Sequence, residues 1–84
     1  MPISLKELSP GQKSVVVRID GRGAVRKRLL DMGITPGTEI QVLRTAPLGD
    51  PLEISLRGYK LSLRKAEAQA VIMDDLDFSE GEAV

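Results

Sequence analysis

The sequence contains no cysteine and no histidine, and its only aromatic residues are one tyrosine and one phenylalanine. Disulfides and thiolate metal sites are therefore excluded, and the chain lacks both the usual general base and the commonest transition-metal ligand. Two aromatic rings are too few for a domain that binds nucleic acid by stacking bases. We expect neither an enzyme nor a cofactor, and we assign no catalytic residue and no metal ligand.

Long apolar runs are missing as well. No stretch approaches the roughly 18 apolar residues that a membrane-spanning helix needs. The first residues, MPISLKELSPG, show no basic segment leading into an apolar one, as a signal peptide would. We therefore expect a cytoplasmic protein that does not itself span the membrane.

Opposite charges balance over the chain but not along it. All 12 lysines and arginines fall within residues 1–65, whereas six of the 12 acidic residues lie beyond that point. This distribution predicts one folded, mildly basic domain at residues 1–74. Residues 75–84 are expected to form an acidic, solvated and disordered tail. Its carboxylates could hold a divalent cation, but their spacing matches no EF-hand loop.

Two Pro-Gly pairs, at positions 10–11 and 36–37, are each followed by β-branched residues. Proline followed by glycine suits the central positions of a type II turn. The pattern predicts two strands, at residues 14–19 and 38–43, each opened by such a turn.

A helix is predicted between these strands. Val25, Leu29 and Met32 follow the i, i+4, i+7 spacing of one helical stripe. Gly33 stands where a left-handed residue would end the helix, and Pro36 prevents its continuation. We expect a positive φ at Gly33 and a structural role for this junction.

The segment LEISLRGYKLSL, at residues 52–63, is typical of a β-hairpin. With a two-residue turn at Arg57-Gly58, apolar residues oppose each other on one face, namely Leu56 with Tyr59, Ile54 with Leu61 and Leu52 with Leu63. A last short strand is expected at 70–73, after a helical or turn-like stretch. Five short strands and one short helix predict an all-β domain, a small SH3-like barrel, with an OB-type barrel as the alternative.

Three segments resemble the FeoA family of ferrous iron transport proteins: SLKELSPGQ, RLLDMGITPGTEIQVLRTAPLGDP and LEISLRGYKLSLRKAEAQAVIM. Together they span roughly residues 4 to 73, and their combination is specific. The resemblance implies an accessory protein of ferrous iron uptake whose partner is a membrane transporter with a GTPase domain. It also implies transition-metal binding, which we expect to be weak, about millimolar, because only carboxylates are available.

A second interpretation is a nucleic-acid- or ribosome-associated barrel, since SH3-like folds host many functions. The balanced charge and the scattered basic residues favour the protein partner over nucleic acid. Oligomeric state is left open between a monomer and a weak homo-oligomer.

Two leucines lie where the core pattern does not claim them. Leu30 lies about 100° from the middle of the helical stripe, and Leu48 stands in the Pro- and Gly-rich loop at 45–51. We predict a docking surface for the transporter at both, with Arg26 and Arg44 in its polar rim. The alternative is that both leucines fill the barrel ends. A structural role is predicted for Leu29, Met32, Gly33, Pro36, Gly37 and Gly58.

Overall fold

The computed structural model describes residues 2–74, which form a six-stranded antiparallel sheet. The elements are β1 (Ile3–Ser4), β2 (Lys13–Ile19), α1 (Gly23–Asp31), β3 (Glu39–Thr45), β4 (Leu52–Leu56), β5 (Tyr59–Leu63), α2 (Lys65–Gln69) and β6 (Val71–Met73). The strands lie in the order β1-β6-β2-β3-β4-β5, and one 3₁₀ turn at Leu5–Glu7 follows β1.

The all-β prediction is confirmed, but the strand count of about five is too low by one. The additional strand is β1, whose two residues pair with the last strand, Ile3 opposite Met73 and Ser4 opposite Ile72. A strand this short carries no recognisable alternation, because period-2 patterning needs at least four residues.

The strand β2 belongs to both halves of the sheet. Residues 13–15 pair with β3, whereas residues 16–19 pair with β6. The register shifts between Val16 and Arg18, and a shift of this kind increases the local bend and twist of a strand. The sheet therefore curves around one core instead of remaining flat.

The hairpin β4–β5 has the predicted register at each of its five residue pairs. Its turn residues both have positive φ, 50° at Arg57 and 87° at Gly58, as a type I′ turn requires. Leu56 is buried but Tyr59 opposite it is 43% exposed. The predicted apolar face of the hairpin is therefore partly exposed to solvent next to the turn.

The core consists of aliphatic side chains from every part of the described chain. Its fully buried large residues include Leu5, Leu29, Ile34, Ile40, Leu52, Ile54, Leu56, Leu63 and Met73. The predicted helical stripe is wrong at one position: Leu29 is buried and Met32 packs partly against the core, but Val25 is 40% exposed. The first turn of α1 lies over Gly21, where an added Cβ would be 3.1 Å from a Val25 methyl, and only the last turn reaches the core.

No helix within residues 2–74 is long and apolar enough to cross a membrane. Met1 and the predicted acidic tail at residues 75–84 lie outside the described residues. The predicted domain boundary after residue 74 therefore stays a prediction.

Candidate partner-binding surface

The junction after α1 closes with a Schellman motif. Met32 caps the helix, and Gly33 follows with the predicted positive φ, 91°. The Gly33 N–H donates to the carbonyl of Leu30 at 3.0 Å, and the Ile34 N–H donates to the carbonyl of Leu29 at 3.1 Å. These two bonds satisfy carbonyls that a helix end otherwise leaves free, and they bring two buried side chains together.

The tip of the hairpin holds this junction from outside. The Tyr59 hydroxyl donates to the Met32 carbonyl at 2.7 Å, and the Arg57 guanidinium donates to the Thr38 hydroxyl at 3.1 Å. Thr38 is 5% exposed, and its hydroxyl also lies 3.4 Å from the Gly33 carbonyl. No buried side-chain polar atom of the described chain lacks a partner. The junction is thus a corner held in place by side chains of the β4–β5 hairpin.

Pro36 and Gly37 form the predicted type II turn inside this corner. Gly37 has φ 93°, and the Thr38 N–H donates to the Thr35 carbonyl at 3.0 Å. The Gly37 N–H donates to the Val16 carbonyl of β2 at 2.8 Å. The turn thereby joins the start of β3 to the neighbouring strand, and Gly58 lies in the hairpin turn that faces the corner. The six residues with a predicted structural role therefore lie in or against one region.

The basic run at residues 26–28 is divided among three intramolecular partners. Arg26 donates to the Ile19 carbonyl at 3.0 Å. Lys27 pairs with Asp31 at 3.3 Å, and Arg28 pairs with Glu67 at 2.9 Å. The three cations point to different neighbours and do not form a continuous basic stripe of the kind that tracks a phosphate backbone.

The structure separates the two leucines of the predicted docking surface. Leu30 is partly buried and packs against the core, whereas Leu48 is 88% exposed. Leu48 stands at the tip of the β3–β4 loop, where the Gly49 N–H donates to the Ala46 carbonyl at 2.7 Å. A single exposed leucine is ordinary, but one raised on a tight turn is well placed to enter a partner's pocket.

The base of this loop is anchored on both sides. The Ala46 N–H donates to the Pro51 carbonyl at 3.1 Å, which closes the loop across its neck. The Asp50 carboxylate accepts from the Lys65 N–H at 3.0 Å, at the start of α2. The exposed tip therefore rests on a fixed base.

The four predicted docking residues lie in two places. Arg26 and Leu30 are four positions apart on α1, and Arg26 contacts the end of β2. Arg44, close to the Leu48 loop, pairs with Glu53 of β4 at 2.9 Å. Within residues 2–74, no hydrogen bond or ion pair joins Arg26 or Leu30 to Arg44 or Leu48.

A groove that was not predicted from the sequence runs between α1 and β5. About 530 Å³ in volume, it is lined by one face of the helix (Ala24, Lys27, Arg28 and Asp31) and by Leu61 and Ser62. A second cavity of about 410 Å³ shares Arg28 and Ser62 with it and continues toward α2. The i, i+3, i+4, i+7 spacing of the helical residues was the available signal. That spacing shows which residues share a face of α1, but the face becomes one side of a groove only because the helix packs beside β5.

The described residues do not fit a metal site. Residues 2–74 contain no group of three or more histidine, cysteine, aspartate or glutamate side chains that could hold an ion. The acidic residues considered as weak cation ligands, beyond Asp74, lie outside the described part of the chain. The donor chemistry of the folded body is thus limited to isolated or paired carboxylates.

Comparison with known proteins places this chain in a family. The FeoA domain matches residues 3–75. The Fe(2+) transport protein A/Fe(2+) transporter FeoB fusion protein of Porphyromonas gingivalis is 43% identical over 67 residues, which cover 80% of this chain. The same residues make up 8% of that relative, so this chain spans only a small part of its length.

Solved structures show the same fold. A FeoA-like protein from Clostridium acetobutylicum is 43% identical, with a TM-score of 0.83 and coverage of 90% of this chain and 88% of that one. The zinc complex of Stenotrophomonas maltophilia FeoA, described as a procaryotic SH3 domain protein, is 28% identical with a TM-score of 0.77. That alignment covers 86% of this chain and 89% of the other. The SH3-like prediction is therefore confirmed over the OB-type alternative, and the chain belongs to the FeoA family of ferrous iron transport proteins.

Proposed function

We propose that this chain is a cytoplasmic accessory protein of ferrous iron uptake that binds the membrane transporter FeoB and performs no catalysis itself. The observation that carries the proposal is the Porphyromonas gingivalis relative, in which transport protein A and FeoB belong to one fusion protein. A covalent link holds two domains at a high effective concentration. A separate chain with the same role needs a docking surface instead.

The β3–β4 loop supports such a surface. Leu48 is 88% exposed, and the neck of the loop is closed by the bond between Ala46 and Pro51. A loop whose base is already ordered loses less conformational entropy on binding than a free one. We place Leu48 at the apolar centre and Arg44 in the polar rim, the arrangement common in interfaces. Arg26 and Leu30 stay in the proposal as a second contact area on α1.

In this proposal ferrous iron is the cargo of the transporter and not a ligand of this chain. The sequence has no histidine or cysteine, and residues 2–74 hold no cluster of three or more ligand side chains. Weak carboxylate binding cannot select Fe²⁺ over other divalent ions. We therefore assign this chain a role in binding another protein.

Two measurements on the same strain test this function. In a strain that lacks this chain, uptake of radioactive Fe²⁺ should fall and should recover when the tagged chain is restored. The tagged chain should also co-purify FeoB from detergent-solubilised membranes. Unchanged uptake in the deletion strain, together with no FeoB in the purified fraction, would overturn the proposal.

A further inference from the structure

Within residues 2–74, one side of β5 has no partner strand. The strand is last in the sheet order of this described part and pairs there only with β4. Because the two-residue turn makes Leu56 and Tyr59 a hydrogen-bonded pair, the bonded positions of β5 are Tyr59, Leu61 and Leu63. The N–H and C=O groups of Lys60 and Ser62 point the other way. Among residues 2–74, none of these four groups bonds to the backbone of another element.

The groove beside α1 follows this free edge. Neighbouring side chains of a strand point to opposite faces, yet Leu61 and Ser62 both line the groove. A groove lined from both faces lies along the edge of the strand. Its apolar floor comes from Ala24, Met32 and Leu61. The adjoining cavity extends it past Leu63 and Arg64.

The basic side chains on the two sides of the groove differ in whether they form ion pairs. On the helix wall Lys27 and Arg28 are both engaged by intramolecular carboxylates. Lys60 of β5 is exposed, and the extended Arg64 directly after the strand shares its outer face by alternation. Neither cation forms an ion pair with any residue of the described chain. Free cations on the outer face favour acidic side chains in whatever lies alongside.

We propose that an extended segment of the transporter adds to the free edge of β5 as a further strand. This proposal rests on the proposed function, because it adds a further contact with FeoB to the one proposed at the Leu48 loop. The backbone of the segment pairs with Lys60 and Ser62, as in other cases of β-strand addition. Its apolar side chain points to the same face as Leu61, into the groove, and the acidic side chains on either side lie near Lys60 and Arg64. The recognised pattern is therefore acidic, apolar, acidic.

Amide hydrogen exchange tests the free edge in the full chain. Lys60 and Ser62 should exchange rapidly while Leu61, bonded to β4, is protected, so the strand supplies its own internal control. The probe is the peptide acetyl-Ser-Glu-Leu-Glu-Ser-amide, which should slow exchange at Lys60 and Ser62. A peptide with lysine in place of glutamate should not. Protection of both amides without peptide would show an edge already covered by residues 75–84 or by a second copy, and would overturn the proposal.

Two variants test the same edge against the transporter. Ser62→Pro removes only an outward N–H, so the bonds of the hairpin are retained and the fold should persist. Lys60→Glu combined with Arg64→Glu keeps the backbone edge and should weaken FeoB binding about tenfold. Lys13→Glu, a single charge reversal at an exposed lysine of β2, is the control.

The outcomes distinguish the two proposals. Reduced FeoB capture by both edge variants, with normal capture by Lys13→Glu, would support strand addition. Parent-like capture by folded edge variants would overturn strand addition and leave the proposed function standing. Absence of FeoB with the parent chain itself would overturn strand addition, and together with unchanged Fe²⁺ uptake in the deletion strain it would overturn both proposals.

Discussion

The corner after α1, residues 32–38, and the β3–β4 loop, residues 45–51, are built from similar residues and have opposite environments. Both contain proline, glycine and threonine; Leu29 lies three residues before the corner, and the loop contains Leu48. Leu29 beside the corner is fully buried, whereas Leu48 in the loop is 88% exposed. The residue composition of such a segment therefore does not determine whether its leucine is buried or exposed.

The difference lies in which groups outside each segment bind to it. The corner receives hydrogen bonds from Arg57 and Tyr59 of the hairpin, which lie 19 and 27 residues further along the chain than the groups that accept them. Among the hydrogen bonds of residues 2–74, the tip of the loop is closed only by its own backbone, between Gly49 and Ala46. A segment held by distant side chains contributes to folding, whereas a segment held only at its base leaves its tip free for a partner.

The largest expected effect is that of Leu29→Ala. This change deletes a fully buried side chain at the end of α1 and should lower the free energy of unfolding by about 3 kcal/mol. Urea denaturation measures it, with Leu48→Ala as the control of identical chemistry. If the two variants unfold at the same urea concentration, the distinction between corner and loop is lost.

Gly33→Val should have the next largest effect, a loss of at least about 1 kcal/mol, because φ at this position is 91°. A Cβ at Gly33 would also lie 3.1 Å from the Tyr59 hydroxyl. Gly37→Val is the matched control, since φ there is 93° and no atom lies within 4 Å of the added Cβ. Thermal unfolding should rank Gly33→Val as the less stable of the two, and the reverse order would contradict the close packing of the corner.

Tyr59→Phe should have a smaller effect, about 1 kcal/mol, because it removes one hydrogen bond to the Met32 carbonyl and keeps the ring. The ring is 43% exposed, so water can partly replace the lost donor. The urea midpoint is the measurement, with Lys60→Met on the same strand as a control that removes no described bond. An unchanged midpoint for Tyr59→Phe would mean that the Tyr59 hydrogen bond does not stabilise the corner.

Much of the fold could be predicted because its signals are local. The hairpin register follows from alternation and from the Arg57-Gly58 turn, and the end of α1 follows from Gly33. The pairing of Ile3 and Ser4 with β6 could not be predicted, since it joins the two ends of the described chain and leaves no periodic pattern.

The candidate site was less predictable for the same physical reason. Leu30 and Leu48 were indistinguishable from their sequence spacing, and only tertiary packing buries part of the first and exposes the second. The groove beside β5 arises from the position of α1 against a sheet edge. Neither relation is encoded in a short stretch of sequence.

The smallest expected effect on stability is that of Leu48→Ala, within about 0.5 kcal/mol of the parent, because the side chain is 88% exposed. The urea midpoint of this variant should match that of the parent. A lower midpoint would show that Leu48 packs against the domain and would support the alternative in which it fills a barrel end.

The central claim is that the Leu48 loop serves binding and the corner serves folding. The most direct measurement is the amount of FeoB that co-purifies with the tagged Leu48→Ala chain, relative to the parent chain, from the same membranes. The account predicts a folded variant that captures about tenfold less FeoB, as expected for the loss of an apolar interface centre. Equal capture of FeoB by the folded variant would contradict it.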